Sequence, residues 1–263
     1  MTTAERFRAL HERPEPFLLP NPWDAGTARL LAGLGFDALA TTSLGVANAV
    51  GRTRATRAEI LANVREIAEA TSLPVNADLE NCFADDPAEA AKMIDAAADA
   101  GAVGASIEDH TGDMRTPIYD FRLAVDRVRA AAETARARSV VLTARCENLL
   151  LGVNDFGDTI RRLQAYEEAG ADVLYAPGLR TLAEIRAVVT SVGKPVNVVM
   201  GFADPSITLD QLAEVGVRRV SIGAALSRLA LKSFMDGARE MRAGRFGFVA
   251  GLPPVAEVQR FFG

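Results

Sequence analysis

The chain has 263 residues, 49% hydrophobic and 24% charged, with a formal net charge of −5 and a pI near 5.3. That length supports one large α/β domain or two small ones with a sizeable core, and the acidic balance argues against a nucleic-acid or anionic-membrane surface. Only two cysteines, Cys82 and Cys146, are present, so neither a disulfide framework nor a zinc-ligand spacing exists. Residues 1–6 lack the apolar core of a signal peptide, and no stretch reaches the ~18 apolar residues of a membrane span. A cytoplasmic protein with no membrane partner is expected.

In chain order, a helix at about 4–12 precedes eight candidate strands, at 17–20, 37–43, 74–80, 103–109, 139–145, 172–177, 195–200 and 217–223. Amphipathic stretches at roughly 24–34, 56–71, 87–100, 120–137, 155–169, 181–191 and 208–214 lie between them, with Pro87 and Thr208 as helix starts. A helix over 224–243 closes the set, and a short terminal helix is expected at 253–262. A recurring phrase joins these units. Leu34-Gly35-Phe36-Asp37, Ala100-Gly101-Ala102-Val103, Ala169-Gly170-Ala171-Asp172 and Val215-Gly216-Val217-Arg218 each read as a helix tail, a glycine cap and a strand. Eight strands and eight helices in about 250 residues predict an α/β fold, a (β/α)8 TIM barrel, as one domain over 1–263. An open doubly wound sheet is the alternative, but no Gly-rich dinucleotide loop follows the first strand.

In such a barrel the C-terminal ends of the strands face the site. Strand 3 ends in Asp78 and Glu80, which alternation places on one side with Asn76 behind them; strand 4 ends in Glu108 and Asp109. Three converging acids need a compensating charge, so Asp78, Glu80 and Glu108 are the candidate metal ligands. Mg²⁺ suits them, with Asp78 binding directly and the glutamates through water. For Asp86 and Asp109, helix capping or a solvated strand end is the preferred reading. Arg145 and Glu147 follow strand 5. Arg145 could grip a substrate carboxylate with its planar fork or serve as counter-ion to Glu108 or Glu147. His110 opens a loop, 110–119, that could be a lid carrying His110 or Arg115, or an ordinary exposed loop. Ser43 ends strand 2, Asn197 lies in strand 7, and Trp23 could shape the pocket floor or simply pack. Cys82 and Cys146 have no activating His or Lys beside them and are expected to pack.

Asn21-Pro22-Trp23-Asp24-Ala25-Gly26, Thr41-Thr42-Ser43, Ala77-Asp78-Leu79-Glu80, Ile107-Glu108-Asp109 and Thr143-Ala144-Arg145, in this order, resemble the isocitrate lyase/phosphoenolpyruvate mutase superfamily. The resemblance runs from about Phe17 to Gly223. It implies a (β/α)8 barrel that binds Mg²⁺, with Mn²⁺ as an alternative, and a 2-oxo acid or its enolate. By position, Asp78, Glu80 and Glu108 match the metal-site acids and Arg145 the substrate arginine. Ser43 with the Leu44 backbone matches the segment receiving the substrate carboxylate and enolate oxygen. The family's exchange of its last helix between subunits implies a homodimer or homotetramer and would suit 253–262, with Val255, Val258, Phe261 and Phe262. Departures narrow the activity. The Lys-Cys-Gly-His loop of the lyases and the longer Lys/Asn gating loop of the mutases are both missing. Pro177 stands where mutases place a His, an expected Asp is missing from residues 51–54, and Cys82-Phe83-Ala84 replaces a Gly-Tyr-Gly turn. The expected function is a Mg²⁺-dependent lyase cleaving a C–C bond beside the keto group of a small 2-oxo or hydroxy acid, of which oxaloacetate decarboxylation is one case. His110 is the candidate acid. The alternatives are a phosphoenolpyruvate mutase or phosphonopyruvate hydrolase, and a non-catalytic metabolite-binding barrel.

Overall fold

A computed structural model describes residues 1–262; Gly263, the last residue of the expected domain, lies outside the described residues. Eight parallel strands run β1 (Phe17–Leu19), β2 (Leu39–Ala40), β3 (Val75–Ala77), β4 (Gly104–Glu108), β5 (Val141–Arg145), β6 (Val173–Tyr175), β7 (Val196–Val199) and β8 (Arg219–Ser221). They pair in the order β1-β8-β7-β6-β5-β4-β3-β2. The remaining seam, between β1 and β2, is bridged by the Ala40 N–H to the Pro20 carbonyl at 3.0 Å and by Asn21 Nδ2 to the Thr41 carbonyl at 3.0 Å. The (β/α)8 barrel read from the repeats is therefore the fold.

The helices are α1 (Thr3–Glu12), α2 (Ala25–Gly33), α3 (Ser43–Ala49), α4 (Arg57–Ala70), α5 (Pro87–Asp99), α6 (Phe121–Ala137), α7 (Phe156–Glu168), α8 (Leu182–Ser191), α9 (Leu209–Glu214), α10 (Ala225–Arg242) and α11 (Val255–Gln259). Local chemistry sets most starts: Thr56, Thr181 and Thr208 close capping boxes with Glu59, Glu184 and Gln211. Gly35, Gly101, Gly170 and Gly216 all hold φ between +89° and +108°, the left-handed cap that lets each helix turn into the next strand. Alanine-rich faces of α5 and α6 bring Met93, Ile94 and Val128 onto the outside of the barrel. The bottom is plugged by α1: Phe7, His11 and Phe17 pack edge to face, and a Cβ on Gly104 would lie 2.5 Å from the Phe7 ring.

Three expectations are corrected. Strand 2 ends at Ala40, and Ser43 instead opens α3, capped by Thr42. Strand 3 ends at Ala77, so strand alternation does not position Glu80, whose φ is +51°. The terminal helix spans only Val255–Gln259, and Phe261 rests on Gly33 of its own chain. Unpartnered apolar surface is carried by α10, with only Ser227 and Gly237 buried and Phe234 75% exposed, and also by the segment that follows it, where Phe246, Leu252 and Val255 are exposed. Among the described residues no helix is long and apolar enough to cross a membrane.

Candidate active site

The C-terminal ends of the strands surround a cavity of about 570 Å³ lined by Asp78, Glu80, Glu108, His110, Arg145 and Glu147 together with Ser43 and Leu44. Parallel strands deliver these side chains together: Glu108 and Arg145 are direct register partners, as are Arg145 and Tyr175. Arg145 is the hub. Its Nη1 lies 2.5 Å from Glu108 Oε1 and 3.2 Å from Asp78 Oδ1, and its Nε lies 2.8 Å from Glu147 Oε1. The guanidinium stacks over the Tyr175 ring, 4.7 Å from its centroid. The counter-ion role is therefore filled, for Glu108 and Glu147 together. Nη2 is left as the nitrogen without a carboxylate, so of the two-pronged fork expected to grip a substrate only one nitrogen remains free.

Glu80 and the second oxygen of Glu108 are also partnered. Glu80 Oε2 lies 2.6 Å from Arg54 Nε, and His110 Nε2 lies 2.9 Å from Glu108 Oε2. Burial pushes the carboxyls of Glu108 and Glu147 up to about 8, against the pull of Arg145. Burial likewise lowers His110, against Glu147 and Glu80. No three His, Cys, Asp or Glu side chains among the described residues stand close enough to enclose a metal by themselves. The compensating charge demanded by the three acids is thus supplied in the structure by Arg145 and Arg54. The donor set still fits Mg²⁺, which keeps several waters and takes one or two carboxylates. Asp78, Glu80 and Glu108 all face the one cavity.

The turn after β3 is held against strain. Glu80, Cys82 and Phe83 all have φ between +51° and +58°, a region L-residues adopt at a cost. Buried Arg127 of α6 donates Nη2 to the Asn81 carbonyl at 2.7 Å and Nη1 to the carbonyls of Asp85 (3.0 Å) and Ala84. From the other side, Arg54 lies over the Phe83 ring and donates to Asn81 Oδ1. Two arginines do here what glycines would do by conformational freedom.

Ser43 N–H donates to Asp78 Oδ2 at 2.9 Å, which spends it on one of the candidate metal ligands. Gly45 and Val46 N–H groups go to Thr42, while the Leu44 N–H takes no acceptor among the described residues. Trp23 does not reach the pocket; its Cβ backs onto Gly45 and its carbonyl accepts from Asn63. Asn197 lines a smaller cavity of about 60 Å³ inside the barrel, which shares Asp78, Arg145 and Tyr175 with the larger one. Its amide is consumed by Arg219 Nε (2.9 Å) and Ser221 Oγ (3.0 Å). Arg115, the other lid candidate, pairs with Asp113 in solvent, and the loop is pinned by a bridge between His110 and Ile118. Asp86 caps α5 as expected, but Asp109 is buried rather than a cap or a solvated end. It accepts from Tyr166 Oη at 2.6 Å and from the Glu147 N–H at 2.8 Å, fixing Glu147. Cys82 and Cys146 are buried, with burial raising both thiols, as packing residues should be. Arg54 and Tyr175 were missed from sequence; Tyr175 ends a strand at the catalytic face, which is the signal that could have found it.

The profile of phosphoenolpyruvate phosphomutase matches residues 7–242. This chain belongs to the phosphoenolpyruvate mutase family. It is 29% identical to the 2-methylisocitrate lyase of Escherichia coli over 246 residues, 89% of this chain and 81% of the lyase. Among solved structures, a Burkholderia cenocepacia protein provisionally assigned as a lyase/mutase superposes with a TM-score of 0.96 at 53% identity, over 99% of this chain and 95% of that one. A phosphonopyruvate hydrolase solved with oxalate and Mg²⁺ superposes with a TM-score of 0.88 at 26% identity, over 100% of this chain and 95% of that one. The family's members are lyases and mutases.

Proposed function

We propose that the protein is a Mg²⁺-dependent carbon–carbon lyase that cleaves a small 2-oxo or 2-hydroxy acid next to its keto or hydroxyl carbon by way of an enolate. The observation that carries this reading is the meeting of Asp78, Glu80 and Glu108 with Arg145 in one cavity. Asp78 would hold the cation directly and the two glutamates through water; Mn²⁺ would serve in its place. When bound, the cation supplies Lewis-acid stabilisation of negative charge on the substrate oxygens. Arg145 Nη2 and the Leu44 N–H orient the substrate carboxylate and the oxygen that gains charge. Glu147 and Tyr175 keep the Arg145 plane fixed, and Asp109 fixes Glu147. His110, held by Glu108, returns a proton to the enolate carbon.

A phosphonopyruvate hydrolase-type reaction is the second reading, supported by the likeness to that enzyme's structure. It is disfavoured by Pro177, which carries no proton-transfer group where mutases have a His. Incubating the protein and Mg²⁺ with oxaloacetate, 2-methylisocitrate, isocitrate and phosphonopyruvate separates the readings. A C–C lyase releases a carbonyl product or carbon dioxide from one of the first three. Phosphate release from phosphonopyruvate supports the second reading, and no turnover of any supports a binding barrel.

The assembly follows from α10. Its apolar side chains, Leu229, Phe234, Met235 and Met241, are exposed, and a wholly apolar groove of about 240 Å³ beside β1 and β8 is lined by Leu18, Phe36, Met200, Val220, Ile222 and Leu226. A second copy of the chain supplies the cover for each, giving a homodimer or a homotetramer.

A further inference from the structure

Arg219 of β8 is a buried cation that the proposed reaction leaves unused. Every partner it has among the described residues is neutral: Asn197 Oδ1 at 2.9 Å from Nε, Thr143 Oγ1 at 2.9 Å from Nη2 and His11 Nε2 at 3.4 Å from Nη1. No carboxylate lies within ion-pair distance of it, whereas buried Arg145 has three. Burial draws the Arg219 guanidinium down to about 9, against the pull of Tyr175 and with repulsion from Arg145 added. A guanidinium also has more N–H donors than these three partners use.

The side chain lines the cavity of about 60 Å³ inside the barrel. Around the same cavity stand hydroxyls whose protons have no acceptor among the described residues. Thr143 Oγ1 accepts from Arg219, Ser221 Oγ accepts from Asn197 Nδ2 at 3.0 Å, and Tyr175 Oη has no partner. Asp78 is the one carboxylate in the lining, and its oxygens already meet Arg145 Nη1 at 3.2 Å and the Ser43 N–H at 2.9 Å. Water would accept the hydroxyl protons but would leave the charge of Arg219 unbalanced in a low-dielectric interior. A small anion does both. Only Asn76 Oδ1, buried without a donor, asks for water instead, and the volume has room for a water beside an anion of similar size.

We propose that the barrel interior holds a small monovalent anion of the chloride class, bound by the Arg219 guanidinium and the hydroxyls of Thr143, Ser221 and Tyr175, as the counter-ion of Arg219. The site does not depend on which reaction the larger cavity carries out, because a volume of about 60 Å³ is too small for a three- or four-carbon acid.

The test is a crystal of the full chain soaked in sodium bromide. One anomalous scatterer should lie in contact with the Arg219 guanidinium, and it should stay there at saturating Mg²⁺ and oxalate. In solution, replacing sodium gluconate by sodium chloride at constant ionic strength should raise the melting temperature of wild type along a saturating curve, since a ligand of the folded state stabilises it by mass action. Arg219→Met should abolish that dependence. Thr143→Val keeps the charge and removes one hydroxyl, and should raise the chloride midpoint about three- to tenfold. If Arg219→Met does not fold, the bromide map and Thr143→Val decide by themselves. No anomalous signal in the cavity, or a chloride curve unchanged in a folded Arg219→Met or in Thr143→Val, means water alone and overturns the proposal. Loss of the bromide on adding oxalate also overturns it, because the cavity is then the inner end of the substrate site.

Discussion

Arg145 Nη1 sits between Glu108 Oε1 and Asp78 Oδ1, so one guanidinium nitrogen ties the end of β5 to two of the three acids assigned to the metal. In the proposed reading, substrate binding and the charge balance of the site therefore share a single side chain. Arg145→Lys keeps the charge but cannot hold Glu108, Asp78 and Glu147 at once. Oxalate affinity at saturating Mg²⁺ should fall roughly ten- to a hundredfold, and the melting temperature should fall as well, because buried acids lose their partner. Calorimetry and thermal unfolding check both; a variant with wild-type oxalate affinity removes Arg145 from the substrate site.

Arg127 predicts a coupling between α6 and the acids. Replacing it with Met leaves the carbonyls of Asn81, Ala84 and Asp85 without their buried donor and frees the turn that carries Glu80. Urea unfolding should show a loss of about 2–4 kcal/mol, several hydrogen bonds to a charged group being involved. The Mg²⁺-induced rise in melting temperature should shrink in the same variant. A stable Arg127→Met with the full Mg²⁺ effect would show that the turn holds itself.

The ends of the barrel differ in how far the sequence reveals them. The glycine phrases, threonine caps and apolar runs are local signals, so strands and helices could be placed from Gly35, Gly101 or Thr208 alone. Asp78, Glu108 and Arg145 could be brought together because parallel strands of one barrel end on one face. Glu80 could not be placed, since its position depends on a left-handed turn clamped by Arg127 and Arg54, which are 47 and 26 residues away. Asp109 looked like a surface acid because its partners Arg162 and Tyr166 lie on α7. Trp23 carried site-like chemistry, but packing against α3 gave it internal partners instead, while Asn197 is held by Arg219 and Ser221 in a cavity that Asp78 and Arg145 also line.

His11 predicts the acid limb of stability. Burial, helped by Arg219, depresses its pKa from the usual 6.5 to about 3, and its Nδ1 is bonded to the Phe7 carbonyl at 2.9 Å. The folded chain thus keeps His11 neutral where the unfolded chain protonates it. This contribution is complete above about pH 6.5 and falls by about 1.4 kcal/mol per pH unit on acidification towards pH 3. Between pH 7 and pH 5, wild type should therefore lose about 2 kcal/mol more than His11→Gln in urea unfolding. Parallel stability curves for the two proteins would exclude this assignment.

Exposed Phe234 predicts the state of assembly. Phe234→Glu with Leu229→Glu places charge on the outward face of α10, away from the residues that line the site. Light scattering should show a smaller particle than for wild type, with far-ultraviolet circular dichroism unchanged. An unaltered mass would mean that α10 is covered in some other way.

The central claim is that Asp78, Glu80 and Glu108 form a divalent-cation site through which a small oxo acid is bound. Calorimetric titration of oxalate, with and without Mg²⁺, against wild type and Asp78→Ala tests it most directly. The account predicts tight oxalate binding by wild type only when Mg²⁺ is present, and none by Asp78→Ala under either condition. Oxalate binding of equal strength without Mg²⁺, or undiminished by Asp78→Ala, would contradict it.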